Sequence, residues 1–178
     1  MPVILTLFLI VFLLEHYFML RWNPAYCTTG VRIFSVTLPA PKEARARLTL
    51  NTLEPDTRPL HWLTLAFHRL PDGRIAFRSS FVPNLTMRRH YPVMRGLVEV
   101  DARRHQVRVV GLLNWNVPAF ILMVLLLTAI MPGVWPMLMS FVVFAMGYAV
   151  QRNAFLGVAD ALRTQLSGEL PHLLLKTA

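Results

Sequence analysis

The sequence predicts a membrane α-plus-β fold: three transmembrane helices, with a small antiparallel β domain between the first and the second. Three observations predict it. Long apolar runs sit near both ends of the chain, β-type segments punctuated by turns fill the middle, and the basic residues lie outside the runs. The 178 residues are 55% hydrophobic and 15% charged, so the chain can bury enough apolar surface to escape disorder. A single cysteine, Cys27, excludes a disulfide scaffold.

The first run is Pro2 to Leu20, 19 residues whose only ionisable side chains are the Glu15-His16 pair and Tyr17. At about 1.5 Å per residue it nearly spans a hydrocarbon layer about 30 Å thick. It lacks a basic leading segment, and Pro24 to Cys27 is not a small-residue cleavage site, so a retained anchor is expected. The second run is Val117 to Met131 and the third Val134 to Val150, neither with Lys, Arg, Asp or Glu. Pro132-Gly133 between them cannot continue a helix, which predicts a helical hairpin. Trp22 closes the first run, Trp115 opens the second and Trp135 opens the third. Indole favours the membrane interface, so these three are read as an aromatic belt and as contacts to a partner.

Charge gives the orientation. None of the 18 Lys and Arg precedes the first run, fifteen lie between the first and second, and three follow the third. Three spans therefore put every base on one side, which the positive-inside rule makes the cytoplasm. The expected site is a bacterial inner membrane, with the N-terminus outside.

Residues 21–114 read as the β domain. Strand-like segments are Val31 to Leu38, Arg45 to Asn51, His61 to Arg69, Arg74 to Phe81, Val93 to Val100 and Gln106 to Leu113. Leu70-Pro71-Asp72-Gly73 is a hairpin turn: proline presets φ, Asp bonds its own backbone, and Gly supplies positive φ. Asp101 to His105 joins another pair, in which Val98, Val100, Val107 and Val109 share a face opposite Glu99 and Arg108. Six strands in so short a stretch predict a pleckstrin-homology-like sheet or a half-barrel. Fifteen bases against six acids leave this domain at +9. Anionic lipid or an acidic partner would meet Arg21, Arg88, Arg89, Arg103 and Arg104, whereas nothing in the pattern is a nucleic-acid fold. Residues 115–150 form the hairpin and 151–178 a tail. In the tail Phe155, Val158, Ala159, Leu162 and Leu166 recur at helical spacing, opposite Asp160 and Arg163.

Signatures of chemistry are few. The chain has no phosphate-binding glycine loop, no HExxH, no CxxC and no GxSxG. His61 and His68 project to opposite faces of one predicted strand and cannot share a metal. Glu15-His16 is the exception, because an ionisable side chain in hydrocarbon costs roughly 3 kcal/mol or more near the centre. No base stands at i+3 or i+4 from Glu15, and the other spans offer only neutral polar groups. Its expected partners are headgroup water, the surroundings of His16, or another polypeptide. A lone His16 is a candidate tetrapyrrole ligand through Nε2, although no cofactor beyond bound lipid is predicted.

Two stretches carry a resemblance. They are Arg21-Trp22-Asn23-Pro24-Ala25-Tyr26 through Gly30 and Phe34, and Tyr91-Pro92-Val93-Met94-Arg95-Gly96 through His105-Gln106-Val107-Arg108-Val109 to Asn114-Trp115. In these the chain resembles uncharacterised bacterial integral membrane proteins with one N-terminal span, a β domain and a C-terminal hairpin. The resemblance implies that architecture and no activity. The expected role is a non-catalytic accessory or scaffolding subunit of a larger membrane complex, photosynthetic or respiratory, in contact with lipid and with other membrane subunits. The alternative is a free-standing lipid-binding or sensing module.

Overall fold

The structure, a computed structural model, describes residues 2–40, 65–79, 92–130 and 139–167. The predicted strand Arg45 to Asn51, the Pro132-Gly133 turn, His61, Trp135, Arg88 and Arg89 lie outside these residues. In chain order the elements are helix α1 (Pro2–Leu20), helix α2 (Pro24–Thr28) and strand β1 (Arg32–Pro39), then β2 (Leu65–Arg69) and β3 (Ile75–Ser79). They continue with β4 (Met94–Asp101), β5 (Gln106–Leu113), helix α3 (Asn116–Ile130) and helix α4 (Ser140–Ser167).

The five strands form one antiparallel sheet in the order β1-β5-β4-β3-β2. Strands β2 to β5 are a meander, and β1 returns to pair with β5. The β2–β3 turn follows from its residues: Asp72 Oδ1 accepts the Arg74 amide at 3.0 Å, and Gly73 sits at φ 83°. In the β4–β5 turn, Asp101 Oδ1 accepts the amides of Arg103 and Arg104, while His105 takes φ 50°. Val98 pairs with Val109 and Val100 with Val107, and Glu99 lies opposite Arg108, as the alternation predicts.

Each face of the sheet is covered differently. One face carries Phe34, Leu38, Ile75, Phe77, Met94, Val98, Val107 and Val109, buried under the C-terminal half of α4 through Phe155, Val158, Ala159 and Leu162. Gly96 and Gly111 are partners in the β4–β5 register and make room for this aromatic layer. A Cβ on Gly96 would lie 2.0 Å from the Phe77 ring, and one on Gly111 would lie 2.9 Å from Met94 Sδ. Phe77 and Phe155 meet with centroids 4.6 Å apart. The other face packs Ala76 and Leu97 against Met19, Tyr26 and Cys27.

Helix α4 corrects the sequence reading, which ended a span at Val150 and began a separate tail at residue 151. Its 28 residues are continuous. Gln151, Arg152 and Asn153 interrupt the apolar run, but they are compatible with helix and do not break its backbone hydrogen bonding. The N-terminal half leaves Val142, Val143 and Met146 exposed, and the C-terminal half is the sheet cover. Beyond the sheet, α1, α3 and α4 cluster through Phe8–Phe120 and Phe120–Phe144 contacts at 5.7 and 5.2 Å. Among the described residues, two helices, α1 and α4, are long and apolar enough to cross a membrane, and α3 is shorter.

Candidate functional site

The site is a buried polar junction where three helices meet the sheet. It is built by the sharp reversal after α1. Trp22 takes φ 52°, a left-handed conformation unusual for a bulky residue. Asn23 then caps α2, its Oδ1 accepting the Tyr26 amide at 3.1 Å, and Pro24 follows at a position that needs no amide donor. The single turn of α2 swings Tyr26 back under α1.

Glu15 lies at the centre and is 1% exposed. Its Oε1 accepts from the Tyr26 hydroxyl at 2.5 Å and from the Trp115 amide at 2.7 Å. Its Oε2 accepts from the Asn116 amide at 2.5 Å. These amides open α3, where a carboxylate also offsets the positive end of the helix dipole. Phe18 and Tyr26 flank the Trp115 ring at 6.3 and 5.1 Å.

Arg95 extends the junction into β4. It is 3% exposed, and its guanidinium lies 3.9 Å from the Tyr26 ring centroid. Nε donates to the Tyr26 carbonyl at 3.0 Å, one Nη donates to the Leu113 carbonyl at 2.9 Å and to Asn114 Oδ1 at 3.3 Å, and the other Nη donates to the Thr29 carbonyl. Asn114 in turn donates to the Pro92 carbonyl at 2.8 Å. Burial pushes the Arg95 guanidinium below its usual range, opposed by attraction to Tyr26 and Glu15. Burial likewise pushes the Tyr26 phenol well above its usual value, with Arg95 pulling the other way. The Cys27 thiol is raised by burial against the pull of Arg95 and Arg78, so it is protonated and a poor nucleophile. The groups of the junction are spent on one another, which makes the arrangement a structural tie.

A second tie joins α4 to the sheet. Gln151 is fully buried, and its Oε1 accepts the amides of Val93 and Met94 at 3.0 and 2.9 Å. Tyr148 donates to the Ile33 carbonyl at 3.2 Å. One helix thus reaches the start of β4 and the edge strand β1.

The expectation that Glu15 lacks a partner within the chain is corrected. Its partners lie 11, 100 and 101 residues away, and two of them are backbone amides, which are invisible to a search for basic side chains. His16 is half-buried with its ring 5.0 Å from Phe12, and the described residues contain no cluster of three His, Cys, Asp or Glu able to hold a metal. Arg21 is exposed beside the Tyr17 ring at 5.8 Å. Arg103 and Arg104 lie in the β4–β5 turn, about 20 Å along β4 from Arg95 at roughly 3.3 Å per residue. Trp22 and Trp115 both pack at the end of α1. Sequence reasoning missed Tyr26, Arg95, Asn114 and Gln151. The usable signal was a lone arginine inside the apolar strand Val93 to Val100, and a carboxylate in a span facing a helix start at Asn114-Trp115-Asn116. Comparison with protein-family models, curated proteins and solved structures finds no match.

Proposed function

We propose that the chain is a non-catalytic integral membrane protein that acts as an accessory or scaffolding subunit of a larger membrane complex. In this reading α1, α3 and the N-terminal half of α4 are embedded in the bilayer, and the basic sheet faces the cytoplasm. The supporting observation is the Glu15 junction. It ties α1, α2, α3 and β4 through one carboxylate and one guanidinium, so the sheet has a set orientation relative to the apolar helices. A rigid mount of this kind suits a protein that positions others, whereas a tethered sensor needs a mobile domain. The exposed apolar residues also fit, since Leu5, Leu9, Leu13, Leu122, Leu126 and Val143 stand free on the helix cluster. Such surface suits lipid tails and neighbouring helices.

The satisfied Glu15 removes one reason for a partner, so the proposal rests on the rigid mount and the apolar helix surfaces. Native mass spectrometry after gentle solubilisation from the source membrane tests it. Recovery with larger subunits in fixed proportion is expected. A homogeneous monomer from a membrane whose other complexes remain intact would reject it. The lipid-binding alternative has one observation in its favour, the exposed Arg21 guanidinium beside the Tyr17 ring at the end of α1.

A further inference from the structure

Trp22 does more than end α1. Its indole stacks on the exposed His68 ring, with centroids 5.1 Å apart and planes 21° from parallel. The guanidinium of Arg78 lies 4.6 Å from the same indole. His68 on β2 and Arg78 on β3 are diagonal neighbours on the face that also carries Ala76 and Leu97, since Ala66 pairs with Arg78 and His68 with Ala76. Trp22 is held over them by a left-handed backbone, which a bulky residue adopts only when the surroundings enforce it.

Among the described residues Arg78 is a cation without an acceptor. Nε and one Nη are enclosed and make no hydrogen bond, although the residue as a whole is only half-buried. Each acid among the described residues is engaged elsewhere. Glu15 holds Tyr26 and the start of α3. Asp72 and Glu99 bind Arg74, Asp101 holds the β4–β5 turn, and Asp160 pairs with Arg163. Among the described residues, the neighbours of Arg78 that could carry negative charge are Tyr26 and Cys27, and burial keeps both protonated. A guanidinium with unspent donors suits a phosphate oxyanion, to which charge-assisted hydrogen bonds are strong. An indole and an imidazole beside the fork give an amphipathic rim of the kind found at the headgroup level.

We propose that Arg78, Trp22 and His68 form a binding site for the phosphate of one anionic phospholipid headgroup, with exposed Arg21 adding attraction at longer range. The proposal rests on the membrane reading above, because that reading puts the end of α1 at the depth of the lipid phosphates. The phosphate lies against the Arg78 guanidinium, beside the Trp22 and His68 rings. The site would hold a lipid at a set position beside the junction.

The full chain in mild detergent is titrated with phosphatidylglycerol, phosphatidylcholine or inorganic phosphate, and adducts are counted by native mass spectrometry. One phosphatidylglycerol per chain is expected, with binding weakened about tenfold or more in Arg78→Gln and unchanged in Arg104→Gln on the distant turn. Arg78→Lys keeps the charge and loses the fork, so a drop of several-fold is expected. It also serves as the informative variant if Arg78→Gln fails to give the wild-type circular dichroism spectrum. Wild-type retention of phosphatidylglycerol by the folded Arg78 variants, or equal loss in Arg104→Gln, overturns the site. Arg78-dependent uptake of inorganic phosphate with no preference for the lipid overturns the headgroup assignment and leaves a soluble oxyanion. An acidic protein lost only from the Arg78 variants also overturns it. Alkaline carbonate extraction of the wild type reports separately on the membrane reading: release into the supernatant rejects that reading, whatever the Arg78 variants bind.

Discussion

The Tyr26 hydroxyl donates to Oε1 of Glu15 at 2.5 Å, across eleven residues of sequence. The bond closes the reversal after α1 and presents the carboxylate to the first amides of α3. Removing the acid strands a phenol and two amides in a buried place. Glu15→Ala is therefore expected to lower stability by about 3 kcal/mol or more. Glu15→Gln keeps an acceptor oxygen and is expected to lose about half as much. Thermal unfolding in detergent, followed by circular dichroism, checks both. An Ala variant as stable as wild type would mean that the junction is incidental.

Gly96 is required by a ring. With a Cβ position 2.0 Å from Phe77, Gly96→Ala forces the aromatic layer to shift. Overpacking of this kind costs typically about 1–3 kcal/mol. Combining it with Phe77→Leu should recover part of that loss, a coupling that a double-mutant cycle reads directly. Strict additivity would show that the two residues do not compete for space.

Gln151 and Asp160 stand nine residues apart on one helix and are predicted to differ sharply. Gln151→Leu leaves two buried amides without an acceptor, for an expected loss of about 2 kcal/mol. Asp160→Ala breaks an exposed pair with Arg163 and should change stability by less than about 0.5 kcal/mol. Chemical unfolding of the two variants side by side measures the contrast.

Alkali should weaken the fold. Tyr26 keeps its proton more tightly in the folded chain than in the unfolded one, chiefly through burial. Above the unfolded phenol's pKa of about 10, and up to the higher folded value, the folded state holds the extra proton. Stability is thus fully present below that window and falls as pH rises through it. Cys27 is shifted in the same direction and begins its decline lower, near the ordinary thiol range of about 8.5. Unfolding free energies from about pH 8 to 11 should fall in the wild type and fall less steeply in Tyr26→Phe. Equal slopes would assign the alkaline loss to other groups.

Local chemistry was legible in the sequence, and distant pairing was not. The β2–β3 turn follows from Asp72 and Gly73, and the β4–β5 register follows from alternating valines, because both depend on neighbours a few residues apart. Burial of Phe155, Val158 and Leu162 follows from helical spacing. The place of β1 beside β5 depends on a contact across about seventy residues that no local pattern encodes. The same holds for Glu15, whose partners at Trp115 and Asn116 are main-chain groups. The continuity of α4 was hidden for another reason: Arg152 ends a run of hydropathy without ending a helix.

The most direct test of the account is the side of the membrane on which the sheet lies. Arg104→Cys places a thiol on the exposed β4–β5 turn, while native Cys27 is buried. A membrane-impermeant maleimide should label this variant in inside-out vesicles and leave it unlabelled in right-side-out vesicles. Labelling in right-side-out vesicles would contradict the account.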